Sequence, residues 1–257
     1  MVTRAVIIGA GNVATHLARG LHSAGISIAA VCARHADTAG RLAAQVGASV
    51  CTAPADIPAD ADLVLISVSD AAVADVAAAL PVTGAVVAHT SGSVPIEALS
   101  ARHPRAAVLY PLQTFSRDVE VDLARVPLFT EATDASALDA IDGVARRLSA
   151  SVFHADSDKR RHLHVAGVMA CNFPVYLLEQ CREVLGQAGF PLEVVRPLVE
   201  ATLDKAFAIG PREAMTGPAR RGDMDVARSH EQMLPAPVAH IYRLISTQIY
   251  DMYHEQH

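Results

Sequence analysis

At 257 residues, 51% of them hydrophobic and only 4% aromatic, the chain can form one large domain or two modest ones with cores of Ala, Val, Leu and Ile. A net charge of −6 argues against nucleic acid as the main partner, and no apolar run reaches the ~18–20 residues needed to cross a bilayer. Cys32, Cys51, Cys171 and Cys181 show neither CxxC nor metal-ligand spacing, and the N-terminus enters a strand directly, so a soluble protein of the reducing cytoplasm is expected.

The first element is the apolar strand Val6-Ile7-Ile8, which runs into Gly9-Ala10-Gly11-Asn12-Val13-Ala14 and then a helix over 13–24. Strand, Gly-x-Gly-x-x-Ala turn and helix in that order form a dinucleotide-binding fingerprint. Gly9 turns the chain sharply, Gly11 lets a pyrophosphate approach the backbone, and Ala14 lets the helix pack on the strand. The free N–H groups of the first helical turn, at Asn12 and Val13, face the phosphates. Gly9, Gly11, Asn12 and Val13 are therefore candidate cofactor contacts; the alternative is a purely structural turn.

A second strand over 26–32 ends in Ala33-Arg34-His35. An NAD-preferring site places Asp or Glu here, about 20 residues beyond the fingerprint, to hold the ribose 2′-hydroxyl. This chain has Arg34, whose guanidinium suits a 2′-phosphate, so NADP is the expected cofactor. If Arg34 is only a solvated charge, no acid for NAD is left at this tip either.

A helix over 37–46, a short strand over 48–52 and a buried strand over 62–68 follow, the last opening into Val68-Ser69-Asp70. A helix over 71–80 leads to a strand over 85–88 that opens into His89-Thr90-Ser91. Strand tips of this kind are where an open α/β sheet binds ligands, which makes Val68, Ser69 and Ser91 further candidate cofactor contacts. His89 reads better as a hydrogen-bonded strand-end histidine than as a proton donor. Strands over 106–110, 126–130 and 151–154, with a helix over 134–148, complete the alternation.

From Asp156 onward no strand pattern appears. Residues 157–184 read as one long helix interrupted at Pro174, and 191–208, 225–233 and 238–253 as others, with a breaker-rich loop at 215–223. The expected architecture is a doubly wound, mainly parallel Rossmann sheet over 1–154, followed by an all-helical domain over 155–257 that serves substrate binding and dimerisation. A helical domain of this size often buries its apolar face on a copy of itself, so a homodimer is expected.

Four segments carry a resemblance: Gly9–Ala14, the Tyr110-Pro-Leu-Gln-Thr-Phe-Ser116 turn, the helix His164–Phe173, and Thr216-Gly-Pro-Ala-Arg-Arg-Gly-Asp223. Together they resemble Rossmann-like NADP oxidoreductases whose C-terminal domain was long of unknown function. These are related to ketopantoate reductase, pyrroline-5-carboxylate reductase and the NADP oxidoreductases that use a reduced deazaflavin. The family usually begins its turn with His, where this chain has Tyr110. Related reductases use a Lys-x-x-x-Asn pair, where this chain has Val168 and Asn172.

The resemblance implies hydride transfer from NADPH to a small carbonyl or imine, with a 2-oxo acid such as ketopantoate as one candidate. The other class of function is a non-catalytic NADP sensor or interaction protein. Reducing a carbonyl needs a proton donor and a means of holding the developing oxyanion. His164 is the preferred donor, because imidazole titrates near neutral pH and lies here in an apolar helical stretch. Lys159 is the alternative donor or carboxylate ligand. Asn172, about 80° round the helix and roughly 12 Å along it, would orient the substrate. Gln113 and Thr114 at a strand tip are candidate substrate contacts. Arg221 is either a substrate-carboxylate ligand or the ion-pair partner of Asp223. No metal is expected, since alternate residues such as His162 and His164 diverge on a helix.

Overall fold

In the computed structural model, which describes residues 1–254, the chain divides into two compact units, residues 1–171 and 172–257. The first opens with β1 (Arg4–Ile8), α1 (Asn12–Ser23), β2 (Ser27–Cys32), α2 (Ala36–Val46), β3 (Ser49–Cys51), β4 (Leu63–Ile66), α3 (Val73–Ala79) and β5 (Val86–His89). It continues with α4 (Glu97–Ser100), β6 (Ala106–Pro111), β7 (Leu128–Ala132), α5 (Ala135–Leu148), β8 (Val152–His154) and α6 (Ser157–Gly167). The eight strands form one sheet in the order β3-β2-β1-β4-β5-β6-β7-β8. All neighbours run parallel except β6 and β7.

Helices cover both faces, so the inner strands are buried on both sides and read as unbroken aliphatic runs. Every residue of β4 and β5 is buried. Ile7, Leu63 and Leu65 point into one core with Leu17, Leu21 and Ile141, while Val6, Val64 and Ile66 point into the other with Leu80 and Leu99. Strand order reverses between β1 and β4, and there the helices following the two strands leave on opposite faces, opening a crevice at the carboxyl ends.

The sheet ends at His154, but the first unit runs on to Cys171, beyond the expected boundary at 154. The reason is Arg160. Its fully buried side chain pairs with Glu131 on β7 (Nη1···Oε2 2.5 Å) and donates to the carbonyls of Val94 (2.6 Å) and Ser91 (3.2 Å). Helix α6 is thereby fastened to the sheet.

The second unit contains only helices among its described residues: α7 (Phe173–Gln187), α8 (Arg196–Ile209), α9 (Pro211–Ala214), α10 (Pro218–Arg221), α11 (Met224–Glu231) and α12 (Ala236–His254), with a 3₁₀ turn at Leu192–Val195. The long helix expected over 157–184 is broken by a π turn at Val168–Asn172, and Pro174 sits in the first turn of α7. Proline has no N–H to continue the ladder, and the widened turn before it takes up the interruption. Gly189 at φ +78° ends the α7 region. No described helix is long and apolar enough to cross a membrane.

Candidate functional site

The crevice of the first unit is a cavity of about 870 Å³ walled by the carboxyl-end turns of β1, β2, β4, β5 and β6 and by α6. Gly9 holds φ +115°, and a Cβ there would stand 2.0 Å from the carbonyl oxygen of Ser67, so no other residue fits this turn. At Gly11 the opposite holds. A Cβ would meet nothing within 4 Å, because the position faces open cavity. Gly11 is also the N-cap of α1 and offers no side-chain cap, and the first turn contains no acidic residue. The helix start therefore presents unpaired N–H donors and its positive dipole end to the cavity, a ready receptor for a pyrophosphate.

Arg34 lies at the cavity's β2 edge together with His35 and Thr38. A guanidinium placed there can take a 2′-phosphate in charge-assisted hydrogen bonds. Val68 and Ser69 line the β4 tip. Ser91 lines the β5 tip, although its hydroxyl is occupied in accepting from the backbone N–H groups of Ser93 and Val94, 3.0 Å each. Asn12 and Val13 also line the cavity. The Asn12 amide donates to the carbonyl of Phe115 (2.9 Å), so this side chain fastens the wall rather than reaching inward.

That bond belongs to a strap. Residues 113–117 pass over the glycine turn, and besides Asn12 they are tied by His16 Nε2 to the carbonyl of Ser116 (3.0 Å) and by Arg117 to the carbonyl of Ala10 (3.0 Å). Phe115 packs its ring 5.0 Å from that of His16. Gln113 lines the cavity and accepts from the Thr114 N–H (2.7 Å). Thr114 itself lies outside the lining and serves to fix Gln113.

His164 on α6 reaches the cavity wall, with Nδ1 3.3 Å from the hydroxyl of Tyr110. Lys159 does not reach it. Its side chain is exposed, with Nζ 3.8 Å from Asp156. The helix explains this: Arg160 and His164, four apart, share the face packed on the sheet, and a residue five before His164 turns away. Asn172 is exposed and belongs to the second unit. Arg221 is in that unit too, and it pairs with Asp223 at 2.9 Å, the structural alternative for this residue. Within the second unit, the Thr216-Gly217-Pro218 turn lines a separate, largely apolar cavity of about 550 Å³.

Three contributors were not among the candidate site residues, although Tyr110 marks the departure from the family's His. Tyr110 could have been found, since it stands at the end of β6 where the strand-tip rule applies. Gly92 directly follows a strand tip. Arg160 left no signal, because in Lys159-Arg160-Arg161 it reads as one of three solvated charges. His89 is fully buried with Nδ1 accepting from the Ser91 N–H (3.2 Å), as a strand-end histidine should be. Burial, aided by the Arg160 charge, lowers its pKa to about 4, so it stays neutral.

Residues 4–90 match the family model of the coenzyme F420-dependent NADP oxidoreductases, and residues 126–249 match a domain of unknown function, DUF2520. A Bacteroides fragilis protein described as a candidate NADP oxidoreductase is 35% identical, with 97% of this chain and 98% of that one covered and a TM-score of 0.90. The fold is shared with a reductive aminase from Aspergillus terreus in complex with NADPH and ethyl levulinate (18% identity, 96% and 93% covered, TM-score 0.73). It is shared also with a pyrroline-5-carboxylate reductase from Coxiella burnetii (17%, 99% and 98%, 0.61). No curated protein matches the chain.

Proposed function

The chain belongs to the family of NADP oxidoreductases, and from that premise we propose that it reduces a small carbonyl or imine with NADPH bound along the β1–β4 crevice. One observation carries this reading: a single cavity holds the uncapped glycine turn, a guanidinium at the β2 tip and an imidazole on the opposite element. The turn suits a pyrophosphate, Arg34 suits a 2′-phosphate, and His164 can deliver a proton. When bound, the dinucleotide supplies the hydride.

The residues of the chain do the rest. The N–H groups of Asn12 and Val13 and the guanidinium of Arg34 hold the two charged ends of the cofactor. Val68, Ser69 and Ser91 form the wall between them, and Gln113 presents an amide to the substrate. As hydride reaches the carbon, His164 gives a proton to the oxygen or nitrogen that takes on negative charge.

The second unit supports a homodimer. Between residues 172 and 254 the buried residues are Ala214, Ala219, Ala227, Ala239 and Ser246, all small, while Leu198, Leu203, Phe207 and Ile209 of α8 stand exposed. Apolar faces of this kind gain about 25 cal/mol per Å² when covered, and a second copy covers them symmetrically.

Calorimetric titration with NADPH and NADH, followed by NADPH oxidation with 1-pyrroline-5-carboxylate and ketopantoate, tests the reading. NADPH should bind more tightly than NADH, and one of the two compound classes should be reduced. Arg34→Asp should weaken NADPH about tenfold or more and leave NADH nearly unchanged. Equal losses for both would remove Arg34 from the 2′-phosphate. Binding without turnover of any carbonyl or imine would favour a sensor.

A further inference from the structure

Imidazole delivers a proton to a fixed point only if one ring nitrogen is held and the other is free. In the first unit the held nitrogen of His164 is Nδ1, which lies 3.3 Å from the Tyr110 hydroxyl, with the two rings edge to face at 6.2 Å. Among the described residues Nε2 has no protein hydrogen bond, and His164 stands on the cavity wall. We propose that Tyr110 is a positioning residue that holds His164 by Nδ1 and leaves Nε2 to face the substrate; this rests on the reading of His164 as the proton donor.

The site is shaped around the pair. A Cβ on Gly92 would stand 2.8 Å from His164 Nδ1, 2.9 Å from His164 Cβ and 2.9 Å from Tyr110 Cε2, so only glycine admits both rings. The backbone on either side of Gly92 is fixed by Arg160, which bonds the carbonyls of Ser91 and Val94. Arg160 and His164 share one helix face, so the clamp and the donor move together. Tyr110 is mostly buried, and its ring lies 6.3 Å from that of Phe129.

A phenol suits both protonation states of the imidazole. Its O–H donates to Nδ1 of the neutral ring, and its oxygen accepts from Nδ1–H of the imidazolium. The proton that leaves Nε2 goes to the substrate oxygen or nitrogen, and the imidazolium becomes neutral imidazole. The ring so formed keeps its hydrogen on Nδ1, where the phenol oxygen accepts it, and the phenol loses no proton. Water then returns a proton to Nε2. Burial raises the Tyr110 pKa, with Asp70 adding to the rise and Arg160 opposing it, so the hydroxyl stays intact while the imidazole cycles.

The test is ¹⁵N NMR of the histidine-labelled full chain, with His164→Gln to assign the signal, alongside kinetics on 1-pyrroline. Neutral His164 should carry its hydrogen on Nε2 in the parent protein. Tyr110→Phe should release it to a mixture of tautomers and lower kcat about tenfold, with KM and NADPH affinity within about twofold. Gly92→Ala should displace the ring and give the same tautomer mixture. An unchanged Nε2–H signal in Tyr110→Phe would overturn the proposal whatever the rate. A signal locked in the parent and released in Tyr110→Phe, with neither protein turning over 1-pyrroline or any carbonyl, would uphold Tyr110 and remove the reductase reading instead.

Discussion

The two units draw on the same aliphatic alphabet and use it differently. In the first, Ile7, Leu17, Leu63, Leu65 and Leu128 are fully buried. In the second no large apolar side chain is buried among the described residues, and Phe207 is 91% exposed. A sheet presents two continuous faces, so the apolar residues of its inner strands find partners within the chain, while Val50 and Phe153 on the two edge strands stay exposed. Helices α7 and α8 have no such surface, and neither contains a buried residue. Hydrophobic composition therefore does not guarantee a core; a partner surface does, and the proposed homodimer is what would supply one to the second unit.

The largest blow to the contrast should be Arg160→Ala. It leaves Glu131 without its buried counterion and two backbone carbonyls without a donor, and removing one partner of such a pair costs about 3–5 kcal/mol. Urea unfolding should show that loss confined to the first unit. Equal loss in both units would break the comparison.

Acid should separate them next. Folding lowers the His89 pKa from 6.5 to about 4, so between those values the unfolded chain binds the extra proton. The stabilisation from a neutral His89 is complete above pH 6.5 and disappears as pH falls towards 4, at most about 3 kcal/mol. No titratable side chain of the second unit is buried among the described residues, so its stability should change less over that range. Denaturation midpoints at pH 7 and 4.5 measure this, and His89→Asn should flatten the response of the first unit.

The smallest effect sharpens the other side. Phe207→Glu should barely alter a monomer in which that ring is already in water, yet weaken self-association about tenfold, roughly 1.4 kcal/mol. Sedimentation at micromolar concentration should then show a shift towards monomer. A parent protein that sediments as a monomer would mean that the second unit stands with its apolar face in water.

The sheet was legible because its inner strands are buried on both faces and leave unbroken aliphatic runs, as in Leu63–Ile66. The wall proposed for the cofactor was legible through strand tips, where an open sheet meets ligands: Arg34, Val68, Ser69, Ser91 and Gln113 all line one cavity. Elements shorter than two turns, such as Glu97–Ser100, carry no period to detect. The antiparallel run of β7 depends on its route from β6, which no pattern within β7 encodes. Arg160 and Lys159 differ by one position, and only the face presented to the sheet separates a buried clamp from a solvated charge.

The strap over the glycine turn has a consequence for motion. Asn12, His16 and Arg117 join residues 10–16 to residues 115–117 across about a hundred positions of sequence, so neither segment can open while the other stays closed. Their amides should therefore exchange hydrogen with solvent as one cooperative group, at a single free energy, and a dinucleotide that occupies the turn should slow exchange through the strap as far as Arg117.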